Sequence, residues 1–512
     1  MKKNLTVVLA LISFFASLAI TAQLAAQEHK DHQAEQRRYK FIDLGTLGGP
    51  AAFLTEDSTG SGSSSGILNR RGTVVSSADT SMPDPNFPNA CFLCPTDPFI
   101  VHAFRWDKGV LSDLGALPGV NSSFANWISE NGLVAGFSEN GLIDPLLGVP
   151  EIQGVLWKDD AIINLGTLEG SHQIAAFAVN NKAQVVGAFV NTIPDPFSPF
   201  GLQVRAFLWQ NGVIKDLGTL GGPESVANFV NERGQVVGTA FTNSIPNLVT
   251  GVPTQDPFLW DDGTMADLGT LGGTFGIPNL LDDRGRVIGQ SNMAGDLNHH
   301  PFLWTKSTGM QDLGTLGGDN GQANWMNEAG EIVGKADVPG SKEHHAFIWR
   351  NGVMKDLGTV PGDPCSNAVD INSRGQVVGA SDTPDCLLGR HAFLWEDSVM
   401  TDLNTLLPPS AHLQLTVAFN INDRGEIAGI GVPPGVPVQD QFNLGHIFVL
   451  VPCGEKDSDI EGCDYDIGDA AAVQNNTAPL FSVHAAAMQV GLRPSEMKDR
   501  NRALLANRNR RR

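Results

Sequence analysis

Charge is scarce in this 512-residue chain: Asp, Glu, Lys and Arg make up 17% of it, and 55 acids against 34 bases leave a net charge of −21. A body so short of cations is ill suited to a phosphate backbone, which excludes nucleic acid as an expected partner. Tyrosine is confined to Tyr39 and Tyr465, which weakens a sugar-stacking site. After the first twenty residues no apolar run approaches the ~20 residues that a membrane span requires. The motifs H-E-x-x-H, G-x-S-x-G and the Walker loop are also missing, so no familiar hydrolase or nucleotide chemistry is written in the chain.

Glycine, at 57 residues, is in excess, and it implies many tight turns between short strands. The N-terminus carries Lys2 and Lys3, an apolar run from Leu5 to Ile20, and small residues around Ala22, Ala25 and Ala26. This order is that of a secretory signal peptide over residues 1–26, so the mature chain is expected to be secreted or periplasmic, with no membrane span. Export makes the six cysteines readable as disulfides. They lie as near neighbours, Cys91 with Cys94, Cys365 with Cys386 and Cys453 with Cys463, although six cysteines allow 15 connectivities and spacing alone does not choose. The C-x-x-C of Cys91 and Cys94 has no companion pair or nearby His for zinc, and supports a redox site only weakly.

A repeat organises the rest. The phrase Asp-Leu-Gly-Thr-Leu-Gly-Gly, or a variant, starts at Asp43, Asp113, Asn164, Asp216, Asp267, Asp312, Asp356 and Asp402, at intervals of 70, 51, 52, 51, 45, 44 and 46. Each unit holds four short apolar stretches. The first two are joined by a turn such as Asn231-Glu232-Arg233-Gly234, and the last two by one such as Asp261-Asp262-Gly263. Four antiparallel strands per repeat is the unit of a β-propeller blade. A solenoid would need caps, whereas a propeller must close. The last unit lacks a fourth strand, and Tyr39 to Gly45 is a fourth strand without a first three. The expected fold is therefore all-β: an eight-bladed propeller over residues 39–452, closed by the N-terminal strand. Residues 453–512 follow as an acidic linker and a basic tail with a helix at Glu496 to Ala506, which Ser495 can cap. Eight Lys or Arg against Glu496 and Asp499 give residues 493–512 a charge of +6, so residues 1–492 carry −27.

The third stretch reads His102-Ala103-Phe104-Arg105-Trp106, His345-Ala346-Phe347-Ile348-Trp349 and His391-Ala392-Phe393-Leu394-Trp395. These phrases resemble the bacterial extracellular repeat proteins of the HAF family, named after His-Ala-Phe, over about residues 39–452. Gly154, Arg205 and Asp256 stand where the His is missing. The resemblance implies export and a repeat architecture, and brings no reaction or substrate.

The His at this position (His102, His300, His345, His391, His446) is expected to make structural hydrogen bonds, because positions repeated around a ring are too far apart to ligate one metal ion. The Trp that ends the stretch, from Trp106 to Trp395, is expected to pack between blades. Trp127 and Trp325 differ, since they fall in innermost strands where a pocket could be lined. Asp457-Ser458-Asp459-Ile460-Glu461-Gly462 imitates the start of a calcium loop, but position twelve is Gly468, and an acidic linker is the competing reading. No other cofactor is expected. The connections between second and third strands are long and Pro-rich in the first four units, around Asp84, Asp195 and Asn247, and such loops concentrate function. The leading expectation is a monomeric exported scaffold that offers this face to a glycan, a cell-surface component or a protein. A secreted glycan-active enzyme, with carboxylates converging in a pocket, is the alternative.

Overall fold

In the computed structural model the described residues are 38–53, 66–91, 93–159, 161–340, 343–454 and 463. The segment read as a signal peptide, the candidate calcium ligands Asp457, Asp459 and Glu461, and the helix expected in the tail lie outside them. The described chain is almost wholly β. It forms six four-stranded antiparallel sheets and one of eight strands. Strands follow one another as simple meanders over residues 48–113, 123–164, 173–218, 225–267, 272–312, 321–358 and 366–402. An eighth meander, 414–452, has three strands of its own and takes Tyr39–Asp43 as the fourth, beside His446–Pro452.

The eight-stranded sheet departs from the expectation of separate four-stranded blades. Its fourth and fifth meanders are joined by a single parallel bridge, Gln255 to Phe275. The cause is local: Gly272–Leu281 is a ten-residue strand, so its first half reaches the neighbouring sheet instead of forming a loop.

Two repeated side chains explain why the second and third strands pair so closely. Phe207, Phe258, Phe302, Phe347, Phe393 and Phe448 of the third strands are fully buried. Each pairs across with a glycine: Gly187, Gly238, Gly289, Gly334, Gly379 and Gly429. The same glycines pass beneath a carbonyl of the first strand, which bulges there. A Cβ at Gly334 would lie 1.9 Å from the Gln322 carbonyl oxygen. Hydrophobic clusters then form between consecutive meanders, as where Val333, Ala346 and Ile348 meet Val377, Phe393 and Trp395. The third-strand Trp residues sit in these layers, as their repetition implies.

The Asn-x-x-Gly turns do more than reverse the chain. In each, the Asn Oδ1 accepts amides of its own turn, as Asn231 does from Arg233 and Gln235, a local bond for which Asn is suited. Its Nδ2 donates to the next turn along: Asn180 to the Asn231 carbonyl, Asn231 to Asp282, Asn327 to Asn372, and Asn372 to Asn422, at 2.8 to 3.1 Å. The series runs from the last meander to the first, Asn422 to Asn69 at 3.3 Å, and on from Asn69 to Ser129 at 3.2 Å. Ser129 and Asp282 lack the amide donor. There Asn131 donates to Asn181, and Arg286 to Glu328, in its place.

By compactness the chain divides in two. The larger unit holds residues 42–404 and 412–450 and contains all the features above from Asp43 to Leu450. Of the smaller, residues 38–41, 405–411, 451–454 and 463 are described. In it the Arg38 carbonyl accepts the Cys453 amide, and the Arg38 guanidinium donates to the Cys463 carbonyl. All six cysteines are bridged, as Cys91–Cys94, Cys365–Cys386 and Cys453–Cys463, with Cα separations of 5.0, 5.5 and 5.8 Å. Among the described residues no helix is long and apolar enough to cross a membrane.

Candidate functional site

The third-strand His residues are latches within single meanders. The Nδ1 atoms of His102, His300, His345 and His446 lie 2.9 Å from carboxylate oxygens of Asp113, Asp312, Asp356 and Asp43. Each of those Asp residues opens the repeated phrase, and also caps the turn that follows by accepting the amide of the glycine two residues on. The pairing is visible in one unit of the sequence, where both members change together. Where Gly154 replaces His, Asn164 replaces Asp, and Arg205 keeps an ion pair with Asp216 at 3.1 Å. His391 turns instead to Asp363, at 2.7 Å. In the fourth meander the cation is lost outright. Asp256 faces Asp267, and burial together with that second carboxylate pushes Asp256 up to about 7.

The loop residues singled out from the sequence are turn builders. Asp84 Oδ1 accepts the Asn86 amide, Asp195 Oδ1 that of Phe197, and Asn247 Oδ1 that of Val249. Asp144, overlooked in the sequence, does the same with Leu146 and also accepts Gln173 Nε2 from the next meander. Asp195 is buried, and its Oδ2 has no hydrogen-bond partner. Burial, reinforced by Asp195, pushes Glu224 up to about 7. What these loops present outward is apolar. Met82, Phe87, Leu142, Ile193, Ile245, Leu248, Leu297 and Leu387 are all exposed, Leu248 fully. Every one lies in or beside a connection between second and third strands.

Trp127 and Trp325 are brought together from the second and sixth meanders, with ring centroids 6.2 Å apart. Phe229 of the fourth meets Trp127 edge-on at 4.9 Å. Gly66 packs so closely that a Cβ there would stand 2.8 Å from the Trp127 ring. All three aromatic residues are half-buried, so they pack on one another while each keeps some accessible surface.

A cluster of polar side chains sits where the second-to-third connections are short. Lys335 of the sixth meander is flanked by Asp337 and by Asp382 of the seventh, and burial lowers its ammonium despite both carboxylates. His344 Nε2 lies 3.1 Å from Asp382 Oδ2, and His299 lies near Asp337. Corresponding second-strand positions hold Ala188, Thr239, Gln290 or Ala380, so Lys335 is a departure from the repeat that spacing alone did not flag.

These groups fix a pH dependence. Hydrogen bonds donated to Asp356 and Asp43 raise His345 and His446, and burial raises Asp79, Glu224 and Asp256 to about 7. A group whose value is higher folded than unfolded gives stability that is complete below its unfolded value and lost as pH rises through the folded one. Burial opposes ionisation of Asp43, Asp113 and Asp356 too, but their hydrogen bonds from His and backbone amides win and hold them low. Their contribution is present above the ordinary carboxylate value and disappears as pH falls through the depressed one. The melting temperature should therefore be higher at pH 5 than at pH 8, and should fall again in stronger acid. Glu224→Gln should flatten the decline between pH 5 and pH 8. A flat profile in the parent protein contradicts this account.

No family model and no curated relative matches this chain. Among solved structures, it is similar to the β-propeller domain of the trilobed protease from Pyrococcus furiosus, with 10% identity, a TM-score of 0.40, and coverage of 67% of this chain and 97% of that one. Oligogalacturonate lyase from Vibrio parahaemolyticus matches at 10% identity and a TM-score of 0.36, covering 82% and 98%. A puromycin-hydrolysing peptidase of Mycobacterium tuberculosis matches at 11% and 0.41, covering 76% and 63%. None of these activities is carried over to this chain.

Proposed function

We propose that the eight meanders form a closed eight-bladed propeller of an exported HAF-type repeat protein, and that it is a binding scaffold whose loop-built face takes a protein partner. The observation that carries the binding role is the set of exposed apolar side chains on equivalent loops, from Met82 to Leu387. Soluble monomers seldom leave such surface open without a use for it. The turn hydrogen bonds of Asp84, Asp195 and Asn247 support ordered loops, and ordered apolar loops favour a protein surface over a glycan. The return of the Asn series from Asn422 to Asn69 supports closure.

Photo-crosslinkers placed at Leu142 and Leu248 should capture a protein from the envelope or medium of the producing cell. The same labels at Val213 and Val353, exposed on the opposite turns, should capture none. Equal capture at both sets defeats the proposal. Replacing the loops around Asp84, Asp195 and Asn247 with short Gly-containing turns should abolish capture and leave the fold intact, because loop length alters closure entropy slowly.

The carboxylates gathered around Lys335 favour a second reading, a secreted enzyme acting on glycans. Asp337 and Asp382 would supply the carboxylates, with Lys335 and His344 beside them. Release of reducing ends from a polysaccharide panel, lost in Asp382→Asn, would establish it in place of the scaffold.

A further inference from the structure

The first connection between second and third strands contains the Cys91–Cys94 bridge, which the binding role leaves unused. Its two sulfurs differ in access, for Cys91 is 4% exposed and Cys94 is half-buried. Both Sγ atoms and a carboxylate oxygen of Glu139, from the second meander, lie within 4.8 Å of one another. Glu139 is itself buried, and one of its oxygens accepts the Ser122 amide at 3.0 Å. Phe124, Phe137 and Ile152 wall the bridge in. Burial, with the charge of Asp84 of the same loop, raises the Glu139 carboxyl against the hydrogen bond from the Ser122 amide. A reachable sulfur, a buried sulfur and a carboxyl group beside them are the components of thiol–disulfide exchange.

We propose that Cys91–Cys94 is an exchangeable disulfide that oxidises dithiols, with Glu139 as the acid that protonates the departing Cys91 sulfur. A substrate thiolate attacks Cys94 Sγ, and the Sγ–Sγ bond breaks. Its electron pair leaves on Cys91, which takes the Glu139 proton. The second substrate thiolate then attacks the substrate sulfur of the mixed disulfide and expels Cys94 as a thiolate, which is protonated by water. The substrate loses two electrons and becomes a disulfide, and the protein gains two thiols. A small-molecule disulfide, such as oxidised glutathione, restores the bridge by the reverse steps.

The test uses the full chain in glutathione redox buffers, with each cysteine pair mapped by mass spectrometry after acid quenching. Cys91–Cys94 should open in the native state at a reduced-to-oxidised ratio at least roughly tenfold lower than Cys365–Cys386 or Cys453–Cys463 requires. In Cys91→Ser, Cys94 should carry glutathione. Glu139→Gln, which can keep the Ser122 bond, should slow opening and reclosure alike by roughly tenfold or more with the melting temperature unchanged. If the bridge opens no earlier than the other two, or only with unfolding, it is structural and the proposal is overturned. If the bridge is labile but Glu139→Gln leaves the rate unchanged, the acid is wrongly assigned and the proposal in this form fails. Mapping of the parent protein decides the first point even if Cys91→Ser does not fold.

Discussion

One added methyl group at Gly238 is expected to destabilise the protein by roughly 3 kcal/mol or more, among the larger effects a single substitution can have. A Cβ there would lie 1.9 Å from the Val226 carbonyl oxygen and 2.9 Å from the ring of Phe258. Neither neighbour can yield. The carbonyl belongs to a paired strand, and the Phe ring is fully buried against the next layer. The same clash recurs at Gly187, Gly289, Gly334, Gly379 and Gly429, with carbonyl approaches of 1.9 to 2.1 Å. Gly238→Ala and Gly334→Ala should therefore behave alike under chemical denaturation, while Val213→Ala, on an exposed turn, should stay within about 0.5 kcal/mol of the parent. Similar midpoints for all three would show that the strands can separate to admit a side chain.

Removal of the N-terminal strand should have the other large effect. A chain that starts at Thr46 loses the amide of Leu44 that donates to the Ile447 carbonyl at 3.0 Å, and the Asp43 carboxylate that holds His446. It also leaves His446–Pro452 as an open edge, a site for pairing with other molecules. The expected result is a fall of more than about 10 °C in melting temperature, with aggregation. A synthetic peptide of residues 38–46 should recover part of the loss in a concentration-dependent manner, as mass action requires of a ligand for the native state. Asp43→Asn tests the carboxylate's contacts with His446 and His412 and should cost far less. An unchanged melting curve for the shortened chain would show that the edge strand contributes little.

Much of this architecture was readable because repetition amplifies weak signals. The phrase intervals gave the meander count, and the orphan strand at Tyr39 gave its partner. The Asp that opens each phrase and the His that opens each third stretch vary together at Gly154 and Asn164, a sign of contact that needed only a comparison of the units. Other features depended on distances that spacing does not encode. The conserved-looking Val-Val-Gly of the second strand reads as ordinary β-sequence until the bulged carbonyl above it is seen. Asp84, Asp195 and Asn247 were legible as polar loop residues, and the backbone amides that their Oδ1 atoms accept were not. Trp127 and Trp325 were set apart from the other Trp residues by their place in first strands, but their meeting with Phe229 depends on side chains from alternate meanders converging. Lys335 was missed because an isolated Lys in a β-strand carries no motif. Its surroundings come from three meanders whose residues are far apart in the chain.

The pairing of Tyr39–Asp43 with His446–Pro452 also sets a clock on synthesis. Asp43 and His446 are separated by 403 residues, so the first of the described strands is the last of them to find its place. During elongation at roughly 5–20 residues per second, this strand waits for tens of seconds beside the edges of seven other meanders whose outer positions resemble its own. The last sheet stays incomplete until His446–Pro452 has been made. The hazard is mispairing with a neighbouring edge in the interval, and a slow phase in refolding that disappears when the N-terminal strand is absent would be its kinetic trace.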